Sequence, residues 1–210
     1  MSSAYRIVTG VQRLPAKEAY AVYIDGEHAF DLDAEVYFRV GLREGDVLDE
    51  ERLAHVQEEV ALSRAKSRAL RLLSAKARSE ADLTRRLREL GIEPGVVDQV
   101  VDWLRELGYL DDEAFARQWV RSRASSKKMG ARRLALELCR KGIPTEIAKE
   151  AVKGVTEADE EVWAYQLASK EMSRLGKLPR EKAMRRVYGL LERRGFGHDV
   201  VYRVVSRLFP

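Results

Sequence analysis

The stretch RRLRELGIEPGVVDQVVDWL, Arg85 to Leu104, sets Gly91 between two runs of apolar residues spaced three and four apart. That spacing is the period of a helix with one buried face, and glycine is the residue that ends a helix in the left-handed conformation at least cost. The same design returns in LALELCRKGIPTEIAKEAV, around Gly142, and in VYGLLERRGFGHDVVYRVV, around Gly195; the glycines are 51 and 53 residues apart. Counted without gaps, the position eight before the glycine is Leu83, Leu134 or Val187, and four before is Leu87, Leu138 or Leu191. One after comes Ile92, Ile143 or Phe196; five after, Val96, Ile147 or Val200; nine after, Val100, Ala151 or Val204. Each unit therefore reads as a helix, a glycine stop and a second helix, with a further helix in front over Leu62–Arg78, Asp112 to about Ser126, and Glu157 to about Leu175.

A period of this length is the mark of stacked helical modules, which expose long surfaces instead of one deep cleft. The expected fold is mainly α, with three tandem three-helix repeats forming an elongated, curved body behind a small β-rich N-terminal extension. The expected divisions are an acidic head over 1–60 and repeats over 61–110, 111–155 and 156–210. In the head, YRIVTGVQ is rich in β-branched residues, and Asp25-Gly26 is a reversal signal between strands at Ala19–Ile24 and His28–Leu32. Asp33 should cap a short helix over AEVYFRVG, and a second, acidic helix should begin near Asp49. Two or three strands do not make a stable body alone, so the head should dock on something or stay mobile.

Charge separates the two parts. Residues 1–60 carry a net −7 and the remaining 150 a net +11, which sum to the overall +4. A basic body favours a polyanion or an acidic protein surface as partner. No apolar run is long enough to cross a bilayer, and the opening MSSAYRIVTG lacks the apolar core of a signal peptide, so a soluble cytoplasmic protein with no membrane partner is expected. Cys139 is the single cysteine, which rules out an intrachain disulfide.

No group of residues reads as catalytic. The run Asp111, Asp112, Glu113 resembles a metal site in isolation, but it falls where one unit ends and the next helix starts, and the third unit has acids in the same place, TEADEEVW. Asp111 or Asp112 is thus expected to cap a helix. His28, His55 and His198 are scattered, and with one cysteine they give no metal-ligand spacing. No phosphate-cradling glycine loop is present, so neither metal nor cofactor is expected. Ser79, in ARSEADL, reads as the start of a capping box; Cys139, Trp103, Trp119 and Trp163 read as packing residues.

What stands out is the density of cations. Lys127, Lys128, Arg132, Arg133, Arg140 and Lys141 crowd the second unit, and Lys182, Arg185, Arg186, Arg193 and Arg194 the third. Arg64, Arg68, Arg71 and Arg78 lie opposite the apolar face of the first unit's leading helix. Taken together they describe a positive face suited to phosphates or to an acidic protein groove.

Three segments resemble the RecX family of bacterial recombination regulators: ALRLLSAKARSEADLTRRLRELG (Ala69–Gly91), VVDWLRELGYLDDEAFARQWVRSR (Val100–Arg123) and KMGARRLALELCRKGIPTEIAKEAV (Lys128–Val152). The likeness covers roughly 60–209 and is looser in the third unit, and the head resembles the extension found in many members. The resemblance implies a monomeric, non-enzymatic regulator in DNA repair and the SOS response. It would bind RecA–DNA filaments in their helical groove and inhibit or modulate ATPase and strand exchange. Its partners would be the RecA filament and single- or double-stranded DNA, the latter mainly through phosphates. Arg68, Arg71, Lys127, Arg132, Arg133, Arg140 and Lys141 are the residues expected to form the contact surface, on grounds of charge and position. The alternative is a stand-alone DNA-binding helical-repeat protein without sequence-specific readout.

Overall fold

The computed structural model of the chain describes residues 5–15, 18–176 and 178–210. The first four residues of MSSAYRIVTG and two residues of the LPAKE connection lie outside them. The chain divides into two compact units, one comprising residues up to Lys76 with Thr84–Leu107, the other Ala77–Leu83 with Gly108–Pro210.

The head is a sheet of β1 (Arg6–Leu14), β2 (Ala19–Ile24), β3 (Glu27–Asp33) and β4 (Val47–Leu48), in the order β3-β2-β1-β4. Asp25 and Gly26 both take positive φ, 52° and 86°, the geometry a two-residue hairpin requires. The Asp25 carboxylate accepts the Ile7 N–H at 2.9 Å and Arg6 Nη1 at 2.9 Å, tying the turn to β1. The fourth strand goes beyond the two or three read from the sequence. At two residues it is too short to show alternation, and it is positioned by the Gly45 turn, whose N–H donates to the Val8 carbonyl at 2.8 Å. Helix α1 (Ala34–Val40) follows β3 and ends at Gly41, φ 67°. Asp33 sits at its N-cap position but makes no cap bond; its side chain accepts from the Ser63 hydroxyl instead.

Helix α2 (Glu50–Ala75) is one continuous 26-residue helix. The sequence suggested an acidic helix from Asp49 and another from Leu62, but no glycine or proline interrupts 50–75, and the turns simply join. Asp49 caps it, accepting the Arg52 N–H at 2.8 Å. Val56 and Val60 pack with Val8, Val22, Phe30, Leu32, Val36, Val40, Leu42 and Leu48, so the head docks on the first half of α2. Farther along, α2 packs on α4 (Pro94–Glu106), which follows α3 (Glu80–Glu89).

The second trio is α5 (Asp112–Lys127), α6 (Ala131–Arg140) and α7 (Thr145–Val152); the third is α8 (Glu157–Leu175), α9 (Arg180–Arg193) and α10 (His198–Leu208). Each of these two encloses its own apolar cluster. The positions eight and four before the glycine are fully buried in all three repeats: Leu83, Leu134, Val187 and Leu87, Leu138, Leu191. On the last helix of each repeat, the most deeply buried common position is six after the glycine, Val97, Ala148 and Val201, between the positions five and nine after that the sequence marks as apolar; of the latter, Val100, Val200 and Val204 are buried too. Val96 and Ile147 are half-buried.

All three glycines are left-handed, with φ of 76°, 84° and 80°. Each turn has the same bonds: the N–H after the glycine donates to the carbonyl four before it, in Ile92 to Leu87, Ile143 to Leu138 and Phe196 to Leu191. This satisfies helix-end carbonyls that would otherwise lack partners.

In the second and third repeats the turn also receives the start of a helix from the preceding repeat. Ser79, at the start of α3, is fully buried; its hydroxyl donates to the Lys141 carbonyl at 2.5 Å and accepts the Asp82 N–H at 3.2 Å. One repeat later, the N–H of Gly130, at the start of α6, donates to the Arg194 carbonyl at 3.0 Å. Both acceptors immediately precede a repeat glycine. The approach is close enough that a Cβ on Gly142 would lie 2.2 Å from that of Ala81, and one on Gly195 would lie 2.5 Å from the Arg133 nitrogen.

An acid completes each joint. Asp111 is the N-cap of α5, accepting the Ala114 N–H at 2.8 Å, whereas Asp112 reaches back to accept the first N–H of α3, from Glu80, at 2.9 Å. In the third repeat the buried Glu160 accepts the first N–H of α6, from Ala131, at 2.5 Å, and the Gly197 N–H at 3.3 Å. The seam acids therefore hold the N-terminus of a neighbouring helix, where the helix dipole favours negative charge.

Two sets of substitutions test this joint by urea denaturation followed by circular dichroism. Gly91→Ala, with open space around its Cβ, should cost about 1–2 kcal/mol of left-handed strain, and Gly195→Ala roughly 2–5 kcal/mol because backbone overlap is added. Glu160→Ala should cost about 2–3 kcal/mol by leaving buried N–H groups unpaired, against about 1 kcal/mol for Asp111→Ala.

Candidate interaction surface

The second joint gathers cations from two repeats. Arg132 and Arg133 stand in the first turn of α6, and Arg193 ends α9. With Leu136, Glu192, Gly195, Phe196 and His198 they line a cleft of about 500 Å3. Among the described residues Glu192 is the one carboxylate lining it. Arg132 is exposed; Arg133 is half-buried, its Nε 3.8 Å from the Glu137 carboxylate. Arg194 donates from Nη1 to the Lys127 carbonyl at 2.8 Å, fixing the end of α5 at the same seam. His198 Nδ1 lies 3.0 Å from the Tyr188 hydroxyl. Three arginines lining one partly apolar cleft supply donors suited to oxyanions such as phosphate or carboxylate.

The other cations expected at a contact surface do not line this cleft. Arg68 and Arg71 are exposed on α2, in the first compact unit, with Arg71 Nε 3.3 Å from the Ser67 carbonyl. Lys127 and Arg140 are exposed at the ends of α5 and α6. Lys141 is half-buried, with its ammonium 4.1 Å from the centre of the Trp119 ring; Arg123 lies 4.3 Å from the same ring. Lys141 therefore serves the first joint through its carbonyl, while its ammonium rests on Trp119 of α5 within the same repeat. Arg78, half-buried, is paired with Asp82 at 2.7 Å.

Arg193 and His198 belong to the cleft but were not singled out as contact residues from the sequence. A usable signal for the joint was present: the residue twelve before the glycine is small in the first two repeats, Ser79 and Gly130. In the third it is Ala183, already inside α9, whose start lies farther from the glycine than in the other two.

A second cleft, about 790 Å3, runs between α5, α7 and the start of α8 over Val120, Ile147 and Trp163. Its acids, Glu113, Glu146, Glu150 and Asp159, outnumber Arg117 and Arg121, and Glu113 pairs with Arg117 at 3.2 Å. It does not share the positive field of the seam cleft. Asp159 itself is committed to a capping box with Thr156. Among the described residues, no three His, Cys, Asp or Glu side chains come together as a metal site, and no helix is long and apolar enough to cross a membrane.

Consecutive three-helix modules joined through glycine turns define a tandem helical-repeat protein. Residues 65–104 match the family model for the first three-helix domain of RecX, and residues 111–152 match that for the second. The chain is 37% identical over 143 residues to regulatory protein RecX of Thermobifida fusca, covering 68% of this chain and 77% of the relative. It is 40% identical to that of Mycolicibacterium smegmatis, with 68% and 78% covered. A crystal structure of regulatory protein RecX superposes with a TM-score of 0.80 at 26% identity, spanning 96% of this chain and 99% of the other. RecX from Lactobacillus salivarius, at 24% identity and a TM-score of 0.65, shares the fold. The chain belongs to the RecX family.

Two carboxylates, the exposed Asp25 and the half-buried Asp159, predict a pH dependence. Asp159 is held below its ordinary 3.8 by the Thr156 hydroxyl and backbone N–H, and Asp25 is likewise lowered by the Ile7 N–H and then by Arg6. A lowered folded value means stability that is present above 3.8 and is lost as pH falls through the folded values. The thermal midpoint should therefore fall on acidification, and by less in Asp159→Asn.

Proposed function

We propose that this chain is a non-enzymatic regulator of RecA, binding the RecA–DNA filament in its helical groove and restraining ATP hydrolysis and strand exchange during DNA repair and the SOS response. Family membership supports the class of function. The observation that carries the mode of contact is the seam cleft, which Arg132, Arg133 and Arg193 line together with, among the described residues, a single acid.

Such a cleft would grip a phosphate of bound DNA or a carboxylate of the filament. The exposed Arg68, Arg71, Lys127 and Arg140 would add weaker contacts, while Lys141 acts mainly by holding the first joint. Several weak contacts on one chain strengthen one another through effective concentration. The ATP chemistry would belong to the partner.

Titration into preformed RecA–single-stranded-DNA filaments should reduce ATP hydrolysis at substoichiometric amounts. Arg132→Glu with Arg133→Glu should keep native circular dichroism and raise the half-inhibitory concentration by roughly tenfold or more, about 1.4 kcal/mol of lost contact. Unchanged inhibition by the double variant would remove the cleft from the contact surface. Tight, steeply salt-dependent binding to DNA alone, without any effect on filament ATPase, would instead favour a stand-alone DNA-binding protein.

A further inference from the structure

The glycine turn of the first repeat is built like the two that receive a helix, yet among the described residues none is seated against it. Gly91 has the same left-handed φ as Gly142 and Gly195 and the same bond from the following N–H to the carbonyl four before the glycine. Around Gly142 and Gly195, an added Cβ meets Ala81 or Arg133 at less than 3 Å, whereas around Gly91 nothing described lies within 4 Å. The residue after the glycine tells the same story. Ile143 and Phe196 are each 2% exposed, while Ile92 is half-buried. Beside it Leu90 is 49% exposed. The head does not fill the gap, since its core packs on the first half of α2.

We infer that the Leu90–Gly91–Ile92 turn is a docking socket for the N-terminus of a helix from a partner protein, one with a small residue, serine or glycine, at the N-cap. The chain itself supplies the two templates for the occupant. In one, a buried serine hydroxyl donates to the carbonyl before the glycine; in the other, a glycine N–H does so. Both occupants bring small or backbone groups against the glycine, because the left-handed turn leaves no room for more. By the same pattern the Leu90 carbonyl is the acceptor, and Leu90 and Ile92 supply the apolar contact that docking would cover.

The residues of this socket are not those of the basic cleft, and its test uses neither that cleft nor RecA. The probe is a synthetic peptide of residues 77–90, ARSEADLTRRLREL, which carries the occupant of the Gly142 turn. It is titrated into the 15N-labelled full chain and followed by amide chemical shifts. Saturable shifts are expected at residues 87–93 and not at 138–144, where the chain's own α3 is already seated.

Gly91→Asn blocks the socket without disturbing the free protein, because asparagine tolerates the left-handed conformation and its Cβ has open space. It should weaken the peptide by roughly tenfold or more, since a Cβ thrust against incoming backbone finds no rotamer that relieves it, with circular dichroism and thermal midpoint near the parent's. A Ser79→Trp peptide should produce no shifts at 87–93. Absent shifts with the parent peptide, shifts scattered over the surface, or equal binding by Gly91→Asn would each overturn the inference.

Discussion

The left-handed glycine turn is the constraint on which the joints between repeats depend. A helix end needs partners for its last carbonyls, and the turn supplies them internally while leaving one carbonyl and a bare Cα facing outward. The start of another helix has the complementary need, with unpaired N–H groups and a partial positive charge. At Lys141–Gly142 and at Arg194–Gly195 these two incomplete ends meet, and Asp112 and Glu160 take up the N–H groups that remain. Close approach and hydrogen bonding reinforce each other there, and a side chain on the glycine would defeat both.

The charge distribution follows from the same geometry. Cations collect at helix C-termini because the dipole favours them there, which accounts for Arg140, Lys141, Arg193 and Arg194 next to the glycines. The joint then carries Arg132 and Arg133, at the start of α6, up to the end of α9. Local rules that act within single helices thus produce a concentrated positive cleft once a second repeat is seated.

Much of this was readable along the chain. The apolar positions eight and four before the glycine, the hairpin at Asp25-Gly26 and the helix start at Asp111–Asp112 follow from periodicity and local backbone chemistry, which tertiary contacts did not override. The head escaped in part: β4 is too short to leave a pattern, and α2 runs through the point where two helices were read, since the chain there has no breaker. Of the positions five and nine after the glycine, Val200, Val100 and Val204 are buried while Val96 and Ile147 are half-buried, and Val97, Ala148 and Val201, six after, are buried in every repeat. Adjacent apolar residues on a helix give no local preference, and which one faces inward most depends on the rotation set by the packed neighbour.

The sequence by itself determined the helices, their glycine stops, the modular repetition and the supply of cations, because these depend on residues three, four or a few positions apart. Tertiary structure decided which acids serve which helix and which arginines share a cleft. Ser79 and Lys141 are 62 residues apart, Ala131 and Glu160 29, and no local period links them. Their partnerships arise when one helix end satisfies the hydrogen-bonding need of another, a condition that exists only once the two repeats have closed on each other.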